Sequence, residues 1–135
     1  MTTEDLRGRD ARLTFDVTAD DTATAMLSGN VPVLATPRLL AWAEAASVAA
    51  IADWMPTGLT TVGTKANISH VAASPVGATV EVHAQVSEAT AKQVTFTVSA
   101  KHWAGSSDHR LILTGQLVRA FVDIERFLAG VIPQA

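Results

Sequence analysis

The stretch Thr36 to Trp54, TPRLLAWAEAASVAAIADW, constrains the fold of this chain more than any other. Thr36 is an N-cap residue type and Pro37 suits a first turn, where its missing N–H does no harm. Small and apolar residues then continue to Trp54 before Pro56 ends the pattern. The spacing predicts one long helix, apolar around most of its circumference, and such a helix must be covered nearly all round. Glu44 is the only charge between Arg38 and Asp53. A carboxylate among apolar neighbours is costly unless it is paired, hydrogen-bonded or neutralised. A partly exposed helix edge or a structural ion pair would account for Glu44, and an ordinary cap for Thr36; a role in chemistry is the sharper reading of each.

After Pro56-Thr57-Gly58 the chain changes from helical to extended chemistry. In Leu59 to Ala72 the even positions Val62, Ala66 and Ile68 form the more apolar face against Lys65, Asn67 and Ser69, and His70 continues the apolar parity. Val80, Val82, Ala84 and Val86 alternate with polar residues, as do Val94, Phe96, Val98 and Ala100. A turn is expected at Gly105 to Asp108. A last strand from about Arg110 to Asp123 carries Leu111, Leu113, Leu117 and Phe121 on one parity, interrupted by Gly115 and Arg119. Ahead of the helix, residues 1–10 are polar and expected to be loose, and Arg12 to Val17 reads as a strand. Asp20 and Asp21 can cap a short helix through about Leu27. The apolar connection Val31 to Ala35, VPVLA, either covers a pocket or packs on the core. Strands joined by short turns imply an antiparallel sheet whose inner face takes the single long helix, an α+β architecture in one domain over residues 1–135.

The 135 residues, 48% of them hydrophobic, suffice for one core. With a net charge of -3 and no basic block, the chain is not expected to bind nucleic acid. The absence of cysteine excludes disulfide scaffolds, thiolate metal sites and cysteine nucleophiles. The opening MTTEDLRGRDARL lacks the apolar core of a signal peptide, and the longest apolar run is broken by Glu44. A soluble, cytoplasmic protein with no membrane partner is expected.

Three groups stand out by context: Thr36 at the helix start, Glu44 in its apolar body, and His70 on the apolar side of the following strand. A histidine transfers protons near neutral pH, a carboxylate can orient it or act as base, and a hydroxyl can attack or polarise a carbonyl. Spacing alone does not bring the three together, and a hydrogen-bonded core histidine is the plain alternative for His70. The segments ATPRLLAWAEAA, VGTKANISHVAASPVG and TGQLVRAFVDIERF, in this order, resemble the hot-dog-fold thioesterases, specifically the fluoroacetyl-CoA thioesterase-like family. The resemblance covers most of Leu34 to Phe127. It implies a hot-dog fold, in which an antiparallel sheet wraps one long central helix, and hydrolysis of an acyl-CoA thioester without a cofactor or metal. It further implies catalytic roles for Thr36, Glu44 and His70, an acyl-pocket position for Gly63, and a site arginine in Arg119. The resemblance departs upstream of the helix. There the family's specialised member has phenylalanines in a lid over the acyl group, whereas here the lid is VPVLA, with Val33 and Leu34 the candidate acyl contacts. The resemblance therefore implies the reaction class, thioester hydrolysis, and not the substrate: the aliphatic lid suits a small or medium acyl group and gives little reason to assign fluoroacetyl selectivity.

A non-catalytic acyl-CoA or small apolar ligand sensor on the same fold stays open as an alternative, and a cone-shaped isomerase or cyclase fits the single early helix less well. Hot-dog proteins commonly join equivalent strands across a two-fold axis, so a homodimer or higher homo-oligomer is expected, joined along Leu59 to Ala72. Gly63 and His70 are seven residues apart, roughly 23 Å along an extended strand. One small pocket in one chain cannot use both. Antiparallel pairing of two copies near Ala66 and Asn67 would bring Gly63 of one towards His70 of the other.

Overall fold

The computed structural model describes residues 2–105 and 108–132. In chain order its elements are β1 (Asp10–Asp16), α1 (Ala23–Met26), α2 (Thr36–Ile51), β2 (Leu59–His70), β3 (Thr79–Ala89), β4 (Gln93–Trp103), β5 (Arg110–Asp123) and α3 (Ile124–Val131), with 3-10 turns at Thr3–Leu6 and Ala19–Asp21. The five strands form one antiparallel sheet in the order β1-β3-β4-β5-β2. β2 is thus an edge strand, paired on one side to β5.

The alternation expected for the middle of the sheet is present. Val80, Val82, Ala84 and Val86 of β3 and Val94, Phe96, Val98 and Ala100 of β4 are buried, as are Leu39, Trp42, Ala43, Ala46, Ala50 and Ile51 of α2. Together they form one core, which the Phe15 ring closes by stacking on Trp42 at a centroid distance of 4.6 Å. The helix starts at Thr36 but ends at Ile51, three residues short of Trp54, which is still buried and tilted against Phe121. Its covering is incomplete. Ala41, Ala45, Val48 and Ala49 leave an exposed apolar stripe along α2.

Of three bulges in the sheet, the one at Ser87 lies past the expected alternation of β3 and the other two break the expected strand parities. In β2, Gly63 pairs with Arg119 and Lys65 with Val118, leaving Thr64 as the extra residue. The helix-facing row of β2 is therefore Thr61 and Gly63, then Ala66, Ile68 and His70, and Val62 drops out of it. In β5, Ala100 pairs with Leu113 and Lys101 with Leu111, so Ile112 is the extra residue. Ile112 and Leu113 are buried, whereas Leu111, expected on the inner row, is exposed.

Residues 2–10, within the segment expected to be loose, are held in place. The Thr3–Leu6 turn buries Leu6 completely, and Gly8 and Arg9 exchange backbone hydrogen bonds with Val86. The short helix expected after Asp20 and Asp21 is split into a 3-10 turn and α1. It ends on Leu27, which is left-handed at φ 59°. α3 was not expected at all, since the Asp123-to-Val131 stretch follows a strand without a break; Asp123 caps it by accepting the Arg126 N–H at 2.9 Å. The turn expected at Gly105 to Asp108 includes residues 106 and 107, outside the described residues.

Candidate active site

The helix start is shifted by one residue from the sequence reading. Ala35 is the N-cap residue, so Thr36 is the first helical residue and its side chain does not cap. Instead Thr36 Oγ1 lies 2.8 Å from His70 Nδ1, a hydrogen bond linking α2 to the far end of β2. The other ring nitrogen, Nε2, is buried without a hydrogen-bond partner. Burial pushes the imidazole below the ordinary histidine value of 6.5, and the adjacent Ala72 backbone offsets this only in part. Burial thus favours the neutral imidazole, and in the tautomer with its proton on Nε2 the Nδ1 atom accepts from the threonine hydroxyl.

Thr36 and His70 open onto a cavity of about 400 Å³, walled mainly by Ala23, Val31, Val33, Leu34 and Ala72. Two isolated bridges hold this wall, Thr22 to Leu34 and Val33 to Pro75, and Leu34 N–H donates to the Ser74 carbonyl at 2.9 Å. Asp21 ties the segment to α2, its carbonyl accepting from Ala35 N–H and its carboxylate lying 3.0 Å from Arg38 Nε, close in charge though not aligned as a hydrogen bond.

Glu44 does not join this pair within the chain. It lies eight residues, about 12 Å of helix, beyond Thr36. Its Oε2 accepts from Arg119 Nη1 at 3.0 Å. Arg119 is buried and fully oriented, donating also from Nε to Thr61 Oγ1 at 3.0 Å and from Nη2 to the Thr61 carbonyl at 3.1 Å. Gly63 makes room for the pair, because a Cβ there would lie 2.7 Å from Glu44 Oε2. Glu44, Gly63 and Arg119 line a second cavity of about 230 Å³ with Leu40, Ala66 and Leu117. Of the residues singled out from sequence, the structure thus brings Thr36, His70, Val33 and Leu34 to one cavity and Glu44, Gly63 and Arg119 to another. Sequence reasoning missed Thr61, whose only signal is a polar residue at the buried start of a strand, and Ala72, which has none. Among the described residues no group of three or more His, Cys, Asp or Glu could hold a metal, and no helix is long and apolar enough to cross a membrane.

A family described as fluoroacetyl-CoA-specific thioesterase matches residues 17–125, most of the chain. The chain belongs to this family. As a member of this thioesterase family it is a hydrolase, and its α+β sheet and helix are the hot-dog fold. A solved structure of the fluoroacetyl-CoA thioesterase FlK is 27% identical, each chain covering 93% of the other, with a TM-score of 0.83. A Thermus thermophilus hypothetical protein described as a thioesterase superfamily member is 22% identical over 91% of this chain and 88% of that one, with a TM-score of 0.81. The 4-hydroxybenzoyl-CoA thioesterase of Pseudomonas sp. strain CBS-3 shares the fold at 17% identity, 84% coverage of both chains and a TM-score of 0.70. No curated protein matches the chain.

Proposed function

We propose that this thioesterase hydrolyses a small or medium aliphatic acyl-CoA in the cytoplasm as a homodimer. Each site would combine Thr36 and His70 of one protomer with Glu44, Gly63 and Arg119 of the other. The observation that carries the reading is the 2.8 Å Thr36 to His70 hydrogen bond at an aliphatic cavity, with Nε2 of the same ring buried and unpartnered. Two exposed features support the second protomer: the free edge of β2 and the apolar stripe of α2. Pairing two β2 edges about Ala66 and Asn67 sets the Glu44 cavity of one chain opposite the His70 cavity of the other.

In this site Thr36 Oγ1 attacks the thioester carbon as its proton passes to His70 Nδ1. The first-turn amides of Thr36 and Arg38, which the Ala35 N-cap leaves without a side-chain acceptor, stabilise the oxyanion. Collapse breaks the C–S bond, and the departing thiolate takes the proton from the imidazolium. Water then hydrolyses the acyl-threonine by the same route, with the partner's carboxylate, held by its arginine, facing the Nε2 side of the ring. In the direct route Thr36 only positions His70 and water attacks the thioester itself. A burst of free CoA equal to the enzyme concentration distinguishes the covalent route.

The aliphatic wall, with no phenylalanine, tyrosine or tryptophan among the residues that line the cavity, favours selection by acyl shape over fluoroacetyl selectivity. Thiol release from a panel of acyl-CoAs tests the activity; tight binding with no release from any member would make the protein a sensor instead. Mixing His70→Ala with Arg119→Gln tests the shared site. Random reassortment gives half heterodimers with one intact site each, so about a quarter of the parent activity returns. No recovery from a verified mixed dimer would place both halves of the site in one chain.

A further inference from the structure

α3 is an amphipathic helix that, among the described residues, meets chiefly the end of β5 and leaves its apolar face exposed. Ile124, Phe127, Leu128 and Val131 recur at helical spacing on one face, and none of its residues is buried. Its root is fixed, because Ile124 N–H donates to the Gly58 carbonyl at 2.9 Å and Asp123 pairs with Leu59. A second exposed apolar patch lies at the opposite end of β2, where Val71 and Val31 flank the mouth of the His70 cavity.

The two patches cannot meet in one chain. The twelve residues of β2 separate them by about 36 Å, whereas the eight residues of α3 span about 12 Å. A two-fold axis near Ala66 and Asn67 exchanges the ends of β2. The Leu59 end of one strand then lies beside the partner's Val71 to Ser74 segment, and it does so twice, as a self-complementary contact.

Resting on the β2-paired dimer above, we propose that α3 of each protomer covers the mouth of the other protomer's acyl cavity, with Phe127 and Leu128 meeting the far end of the acyl chain. The occupant of the exposed helix face is thus a second copy of this chain, and acyl-length preference is set across the interface.

The cysteine-free sequence makes the test clean. Leu128→Cys combined with Val71→Cys, and separately with Val31→Cys, should give an oxidised, SDS-resistant dimer that neither single variant gives. Asn67→Cys beside the axis reports the β2 joint independently. In kinetics, Phe127→Ser with Leu128→Ser should lower the ratio of hexanoyl-CoA to acetyl-CoA kcat/KM about tenfold, the scale expected for losing one buried apolar contact. If the Asn67→Cys variant crosslinks and light scattering gives a dimer, while neither Leu128 pair crosslinks and the acyl ratio is unmoved, the α3 assignment is overturned and the dimer stands. A monomer by light scattering, with no crosslink from the Asn67→Cys variant, would overturn both.

Discussion

Gly63→Ala separates a working site from a merely folded one. The added Cβ would lie 2.7 Å from Glu44 Oε2 and 3.4 Å from Arg119 Nη1. An ordinary carbon to oxygen contact is roughly 3.3 Å, so the carboxylate must retreat by about 0.6 Å. Taken along the bond, this stretches the 3.0 Å contact to Arg119 beyond hydrogen-bonding range. The cost to stability is small. The Glu44 side chain is 39% exposed, so its ion pair contributes only about 0.5–1 kcal/mol, and alanine partly offsets that by restricting the unfolded chain. A displacement of this size at a site group costs about ten- to a hundredfold in rate. The expected outcome is a melting temperature within about 3 °C of the parent, an unchanged dimer, and kcat/KM for the best acyl-CoA reduced at least tenfold. A folded dimer with kcat/KM within about twofold of the parent would show that the Glu44 to Arg119 geometry has no part in catalysis, and the shared site would lose one half.

Thr36→Ala should abolish most turnover with little change in melting, because Thr36 is not the cap; Thr36→Ser should retain the hydrogen bond to His70 and a substantial share of the rate, measured by thiol release. Burial lowers the His70 pKa and a partner carboxylate facing the ring opposes this, so Glu44→Gln should move the acid limb of kcat/KM to lower pH; a limb that stays in place would contradict a carboxylate beside the ring. Gly115→Ala should act on stability: its Cβ would meet the Asn67 carbonyl and lie 2.7 Å from Ile68 Cα, so β2 and β5 must part at a cost of about 2 kcal/mol or more, seen as a melting temperature lower by about 6 °C.

The helix and the two central strands were legible because their signals are local. Pro37 and the small-residue run mark α2, and from Val80 to Val86 in β3 and Val94 to Ala100 in β4 every second residue is buried as its hydrophobicity predicts. The bulges at Thr64 and Ile112 were not legible, since they are backbone events that any side chain tolerates, and each turned a row of residues over. Contacts within the candidate site were out of reach for another reason. Thr36 and His70 are 34 positions apart and Glu44 and Arg119 are 75 apart. Nothing in their spacing says that they touch; only the family resemblance grouped them, and it did so without showing that they fall in two cavities of one chain.

The bulge at Thr64 makes the site depend on counting as well as on chemistry. Gly63 and His70 are an odd number of positions apart, which in an unbroken strand sends two side chains to opposite faces. The one extra residue turns odd into even, so both look towards α2. A neighbouring chain that had lost or gained a single residue between them would still display its threonine, glutamate and histidine, yet one half of its site would face the wrong side of the sheet. Among such sequences the inventory of catalytic residue types is an incomplete criterion, and the phase of the strand that carries them is the rest of it.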